Sequence, residues 1–201
     1  VDLGPAWFWP DIHPRMAGLV ADLGLTSFPQ WENGTVLHVT SADAKPEPIA
    51  VDNLHGSAHR VEGGAGAVVG GLARRLASER IHLSCVLSRL EDAGAHLRLH
   101  FLDRGQPFEV AARRVVLALP PRLVEERVAF APRLHPTLRN ALRHVPTWMA
   151  QQAKVVMGYE KAFWREAGLA GNAFAHHPNA VLGEVYDACD GPSQRAALGG
   201  F

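Results

Sequence analysis

The amino-acid sequence predicts a mixed α/β fold with many strands, and three stretches carry that reading. RVEGGAGAVVGGLARRL (Arg60–Leu76) places five glycines directly before a helical pattern. HLSCVLSRL and HLRLHFL (His82–Leu90 and His96–Leu102) read as neighbouring strands, the second alternating apolar and basic residues as a strand with one solvated face does. VVLAL (Val115–Leu119) is a continuous apolar run, the pattern of an interior, parallel strand buried on both faces and stopped by the Pro120–Pro121 pair.

The remaining elements follow in order. VDLGPAWFWPD is broken by Gly4, Pro5 and Pro10 and reads as a short extended segment and a turn. Ile12, Met16, Leu19, Val20 and Leu23 recur at helical spacing, with Pro14 in the first turn and Gly24 as the stop. Thr35–Thr40 and Pro48–Val51 read as hairpin strands joined by SADAKPE, whereas Asp52–Glu62 has no period and reads as loop. After the glycines, Leu72, Ala73 and Leu76 continue a helix to near Ser78, with Arg74 and Arg75 on its wet side. A helix over Leu134–His144 and strands over Gln152–Tyr159, Ala173–His176, Val181–Asp187 and Ala196–Phe201 complete the pattern, without internal repeat or low-complexity segment.

Composition limits the function classes. At 201 residues, 47% of them hydrophobic, the chain holds one sizeable core or two modest ones. Lys and Arg total 20, matching 20 for Asp and Glu, so no basic field draws nucleic acid or an anionic membrane. No apolar run approaches the roughly 20 residues of a membrane helix, and no basic-then-apolar leader opens the chain. Cys85 and Cys189 form no spaced pair and read as free buried thiols, which implies a reducing, cytoplasmic setting. The chain opens on Val1 and closes on Phe201 straight after an apolar run, so both ends read as cut from something longer.

The glycines invite comparison with a dinucleotide loop, which needs GxGxxG after a buried strand and an acid about 20 residues on. Gly64, Gly66 and Gly70 give GxGxxxG, and SAHRVE before them is a poor strand. The spacing favours a turn whose glycines let a helix lie close to another backbone.

Four stretches then resemble, in the right order, the FAD-dependent amine oxidases, a family that includes monoamine, polyamine and L-amino acid oxidases. VDLGPAW (Val1–Trp7) resembles its DLGGxW, which runs beneath the flavin. RVEGGAGAVVGGLARRL resembles its glycine-pair segment, and SCVLSRLED places Val86 where the family has a valine whose backbone contacts adenine. VVLALPP resembles the strand that returns to the cofactor before the chain crosses to the substrate domain. MAQQAKVVMGYEKAFWREAGLAG (Met149–Gly171) sets Trp164 of FWRE ten residues after Lys154, the spacing of the family lysine that holds a water near flavin N5. On sequence alone Lys154 also reads as a solvent-facing strand lysine; the spacing to FWRE favours the flavin.

The resemblance implies part of an FAD/NAD(P)-binding Rossmann-like domain plus part of a mixed-sheet substrate domain. It implies FAD as cofactor, a small-molecule amine or amino acid as substrate, and oxidation of its C–N bond to an imine with hydride transfer to the flavin. Lys154 would serve the flavin edge, and Gly4, Trp7, Gly63, Gly64, Val86, Pro120 and Trp164 would form or support the cofactor site. The corresponding division is 1–34 near the flavin, 35–59 a shortened substrate-domain hairpin and loop, 60–121 partial FAD domain and 122–201 partial substrate domain. The family's true GxGxxG would precede Val1, and its late strands would follow Phe201. Thr26–Glu62 is short for the family, and Pro5 replaces the second glycine of DLGGxW, removing an amide donor. These departures keep open an alternative, a non-catalytic remnant or fragment that binds no flavin by itself.

Other constellations are weaker. His55 and His59 stand four apart but lack HExxH and flank Gly56, so they read as exposed loop histidines and no metal site is expected. His176 and His177 read as strand-end histidines rather than acid/base groups, and Ser57 and Ser84 lack a GxSxG setting. Trp7, Phe8 and Trp9 read equally as a channel wall or as core.

Overall fold

The computed structural model describes residues 2–191 and 195–201; Val1 of the DLGGxW-like stretch lies outside them. The chain forms two compact units, one running to Ser78 and resuming over Gln152–Phe201, the other spanning Glu79–Gln151.

In the larger unit, α1 (Pro14–Asp22) is the helix expected over Ile12 to Leu23, whereas α2 (Ala65–Ala73) starts inside the glycine stretch and ends at Ala73, earlier than the helix expected from Leu72 to near Ser78. They share a core of Phe8, Val20, Val61 and Val68, with Met16, Leu19 and Leu23 packed against it. The glycines of α2 serve this contact: a Cβ on Gly71 would stand 3.2 Å from the Leu23 methyls. The glycine stretch does allow close packing, but at Gly71 inside the helix and against the Leu23 side chain rather than against another backbone.

The segment read as aperiodic loop contains a short strand. β1 (Ser27–Pro29) pairs antiparallel with β4 (His59–Val61), and Phe8 bridges to His59 beside them. Three residues are too few to show a period, so HRV carried no strand signal.

A six-stranded sheet holds the rest of this unit, in the order β3 (Glu47–Ile49), β2 (Thr35–Val39), β10 (Leu169–Ala175), β11 (Glu184–Asp187), β12 (Ala196–Gly200), β9 (Val155–Tyr159). Only β2 and β10 run parallel; the other neighbours are antiparallel. The short helix α5 (Phe163–Glu166) drops Trp164 into a core with Cys189 and Ala196. Tyr186, Ala188 and Ala197 form a second cluster, flanked by Trp7, Val156 and Phe201.

The smaller unit is a four-stranded sheet ordered β7 (Gln106–Ala112), β6 (Leu97–Asp103), β5 (Cys85–Asp92), β8 (Ala129–Ala131). Helices α3 (Pro121–Arg127) and α4 (Pro136–His144) are tied by Glu125, which accepts from Arg139 at 2.8 Å and from Arg143 at 2.7 Å. The two expected neighbouring strands are present as β5 and β6, but β7 was not foreseen because QPFEVAA alternates poorly.

VVLAL is the clearest correction. Residues 113–120 form no strand, and Val116 is 89% exposed. An apolar run states a need for burial, whereas a strand also needs ladder partners, and the described residues offer this run none. Cys189 is buried as expected, Cys85 only half-buried, and both are free. No helix among the described residues is long and apolar enough to cross a membrane.

Candidate functional site

Three residues that the sequence singled out, Gly4, Trp7 and Lys154, meet in the larger unit. Lys154 precedes β9, and its Nζ donates to the carbonyl of Gly4 at 2.7 Å. The ammonium lies 4.8 Å from the ring of Phe201, 5.5 Å from Trp7 and 5.6 Å from Tyr186, within cation–π range of all three. Lys154 is therefore not a solvated strand lysine. Burial pushes its pKa below 10.5, Asp2 and Glu184 opposing the shift and Arg60 adding to it.

That shift has a signed consequence. The unfolded chain keeps the Lys154 proton up to about 10.5, while the folded chain releases it at lower pH. The charge-burial penalty is present in full below that window and is relieved as pH rises through it. Thermal melts of the wild type and Lys154→Met from pH 8 to 10.5 should show the wild type gaining on the variant; parallel curves would remove the desolvated lysine.

The cage around Lys154 is fixed from behind. Trp7 Nε1 donates to Gln30 Oε1 at 2.8 Å, and Gln30 Nε2 donates to the Asp187 carbonyl at 2.8 Å. The Asp187 carboxylate, 1% exposed, accepts from Trp164 Nε1 (2.8 Å), Arg165 Nε (2.8 Å) and Nη2 (2.9 Å), and the Cys189 amide (3.0 Å). Arg165 stacks on Trp31 at 4.1 Å. The FWRE element thus anchors the strand carrying Tyr186, and Trp164, 2% exposed, acts through that anchor.

The glycine turn is occupied from within. Gly63 and Gly64 both have φ +78°. The Asp2 carboxylate accepts from the Ala65 amide at 2.7 Å, at the start of α2, and lies where a Cβ on Gly64 would fall. Gly64, with ψ −177°, sits in a region open essentially only to glycine. Gly64→Ala should lose about 1–3 kcal/mol from strain alone, with the clash added; a urea midpoint equal to wild type would show that Asp2 does not seat there.

Beside the cage opens a cleft of about 730 Å³, lined by Trp7, Trp9, His55, Phe174 and Glu184 among others. Trp7 and Trp9 form its wall while Phe8, 6% exposed, joins the core, so the aromatic triplet serves both readings. His55 is held by Glu32: its backbone amide and Nδ1 reach Oε1 at 2.6 and 2.8 Å. The side chain is 8% exposed, correcting the expectation of an exposed loop histidine. His59 is half-buried on β4 beside Ser27.

Val86 and Pro120 belong to the smaller unit. Val86 pairs with Leu102, and β8 begins its pairing with β5 only at Arg89. The other backbone edge of Val86 has no strand partner among the described residues. Pro120 is half-buried at the start of α3.

A family model described as "Flavin containing amine oxidoreductase" matches residues 39–196. The chain belongs to the flavin-containing amine oxidoreductases. A putrescine oxidase from Kocuria rosea is 38% identical over 92 residues, 46% of this chain and 18% of that protein. A solved putrescine oxidase redesigned for cofactor binding superposes with TM-score 0.82 at 18% identity, covering all of this chain and 64% of that one. A cyclohexylamine oxidase from Brevibacterium oxydans gives 0.77 at 14% identity and 63% coverage. The mixed α/β fold is thus that of an amine oxidoreductase, and the chain spans under two thirds of these solved relatives.

The family's cofactor is a flavin, FAD, and this member's residues fit it unevenly. Gly4 is exposed, a Cβ there would meet nothing within 4 Å, and Lys154 stands against its carbonyl. That open backbone with an adjacent cation suits the polar edge of a flavin ring. The Gly63–Gly64 turn does not suit the pyrophosphate, because Asp2 already holds its amide. Sequence reasoning missed Gln30, Glu32, Arg165, Tyr186 and Asp187; of these only Arg165 had a signal, its place in FWRE.

Proposed function

We propose that the protein oxidises the C–N bond of a small amine, with this chain supplying the flavin-edge lysine and one wall of the amine cleft. FAD, when held there, would supply the hydride acceptor for oxidation of the amine-bearing carbon to an imine. The carrying observation is the double use of Trp7: its ring meets Lys154 at 5.5 Å and also lines the cleft. A substrate in the cleft is therefore adjacent to the cation at the proposed ring edge.

The lining fits an alkylammonium. Trp7, Trp9 and Phe174 offer aromatic faces, and Glu184 offers a carboxylate. Lys154 would hold a water or proton at the ring edge, its charge made more effective by the aromatic enclosure that excludes solvent. The full-length FAD-loaded protein should convert some member of a series of alkyl mono- and diamines to aldehyde with matching peroxide. Failure with every amine would overturn the reading.

A narrower reading concerns this stretch by itself. Asp2 closes the Gly63–Gly64 turn against a phosphate, so residues 1–201 alone should retain no flavin absorbance after gel filtration with FAD. Retained absorbance would contradict it. The free thiols accord with a reducing, cytoplasmic setting.

A further inference from the structure

We propose that the Glu32–His55 pair is the base that takes a proton from the ammonium group of an incoming amine, a role that rests on the amine-oxidising reading above. Glu32 Oε1 accepts from both the backbone amide and Nδ1 of His55. A carboxylate only accepts, so this contact fixes the proton on Nδ1 and leaves Nε2 with its lone pair. Nε2 is buried, has no hydrogen-bond partner among the described residues, and stands 3.5 Å from Glu184 Oε1. An unpartnered ring nitrogen is costly to bury, and this one belongs to a residue lining the cleft.

An ammonium group hydrogen-bonded to Glu184 would bring an N–H within reach of that lone pair. The N–H bond breaks, its electron pair stays on the amine nitrogen, and a new N–H bond forms at Nε2. The amine becomes neutral, and its lone pair can then stabilise the electron-poor carbon from which hydride leaves; an ammonium has none to offer. The resulting imidazolium lies between Glu32 and Glu184, with Asp11 also lining the cleft. The opposing charge is Lys154, which reaches the same Trp7 ring that His55 packs on at 4.9 Å. The imidazolium proton returns to solvent through the open cleft.

Two measurements on the full-length FAD-loaded protein test this. In His55→Gln, kcat/KM at pH 7 should fall about 10²-fold, the low end for proton transfer by a side chain. It should recover toward wild type above the amine's own pKa, where solvent delivers the neutral amine. In the wild type, ¹⁵N NMR of His55 should show Nε2 becoming protonated on saturation with tert-butylamine, which has no hydrogen on the amine-bearing carbon and cannot be oxidised. An equal deficit at every pH, or an Nε2 that stays unprotonated, would overturn the base; if the variant does not fold, the NMR result decides alone. A protein that oxidises no amine would instead overturn the reading beneath it.

Discussion

Asp187→Ala should destabilise the larger unit by about 3–5 kcal/mol, the scale of a buried ion pair broken on one side. The carboxylate is 1% exposed and accepts four hydrogen bonds, from Trp164, both arms of Arg165 and the Cys189 amide. Removing it leaves an indole N–H and a backbone amide unsatisfied in the core and strips Arg165 of its partner. Against a typical total of roughly 5–15 kcal/mol, the urea midpoint should fall by a large fraction at unchanged slope. A loss under about 1 kcal/mol would mean that water replaces these bonds and that FWRE does not anchor β11. Because Tyr186 precedes Asp187 and walls the Lys154 cage, the partially unfolded variant should also lose any cofactor-dependent activity.

Lys154→Met should act on chemistry more than on folding. Methionine fills the space between Phe201, Trp7 and Tyr186 without the charge, and the Gly4 carbonyl, on an exposed residue, can turn to water. In the full-length protein, Lys154 would supply positive charge at the ring edge during reoxidation by oxygen. Loss of one such preorganised group typically costs on the order of 10² in rate. After anaerobic bleaching by an amine, the variant's absorbance should therefore return about 10²-fold more slowly on readmitting oxygen, with the bleaching itself changed far less. Equal rates of return in variant and wild type would place Lys154 in the architecture alone.

Much of the fold was legible because its signals are local. The period of Ile12 to Leu23 and the alternation of HLRLHFL each encode an element within one short window. Lys154 was legible through a fixed spacing to FWRE, and the structure sets it beside Gly4 and Trp7, both picked from the same resemblance. What failed needed distant partners. VVLAL has the composition of an inner strand but no ladder, and HRV is a strand because Ser27–Pro29 lies beside it.

The site's supports were illegible for the same reason. Gln30 reaches Asp187 across 157 positions, and Lys154 reaches Gly4 across 150. His55 looked like a loop histidine because nothing near it in sequence announces Glu32 or Glu184. The glycine turn shows the reverse case: its spacing argued against a phosphate loop, and Asp2 is the residue that occupies it.

The proposed reaction centre joins Lys154 to the Trp7-walled cleft. Anaerobic stopped-flow mixing of the full-length FAD-loaded protein with an alkylamine tests it most directly. The flavin absorbance should bleach at a rate that saturates with amine and falls when Trp7→Ala opens the shared wall. A fully loaded protein whose absorbance no amine bleaches, or whose bleaching is unchanged by Trp7→Ala, would contradict it.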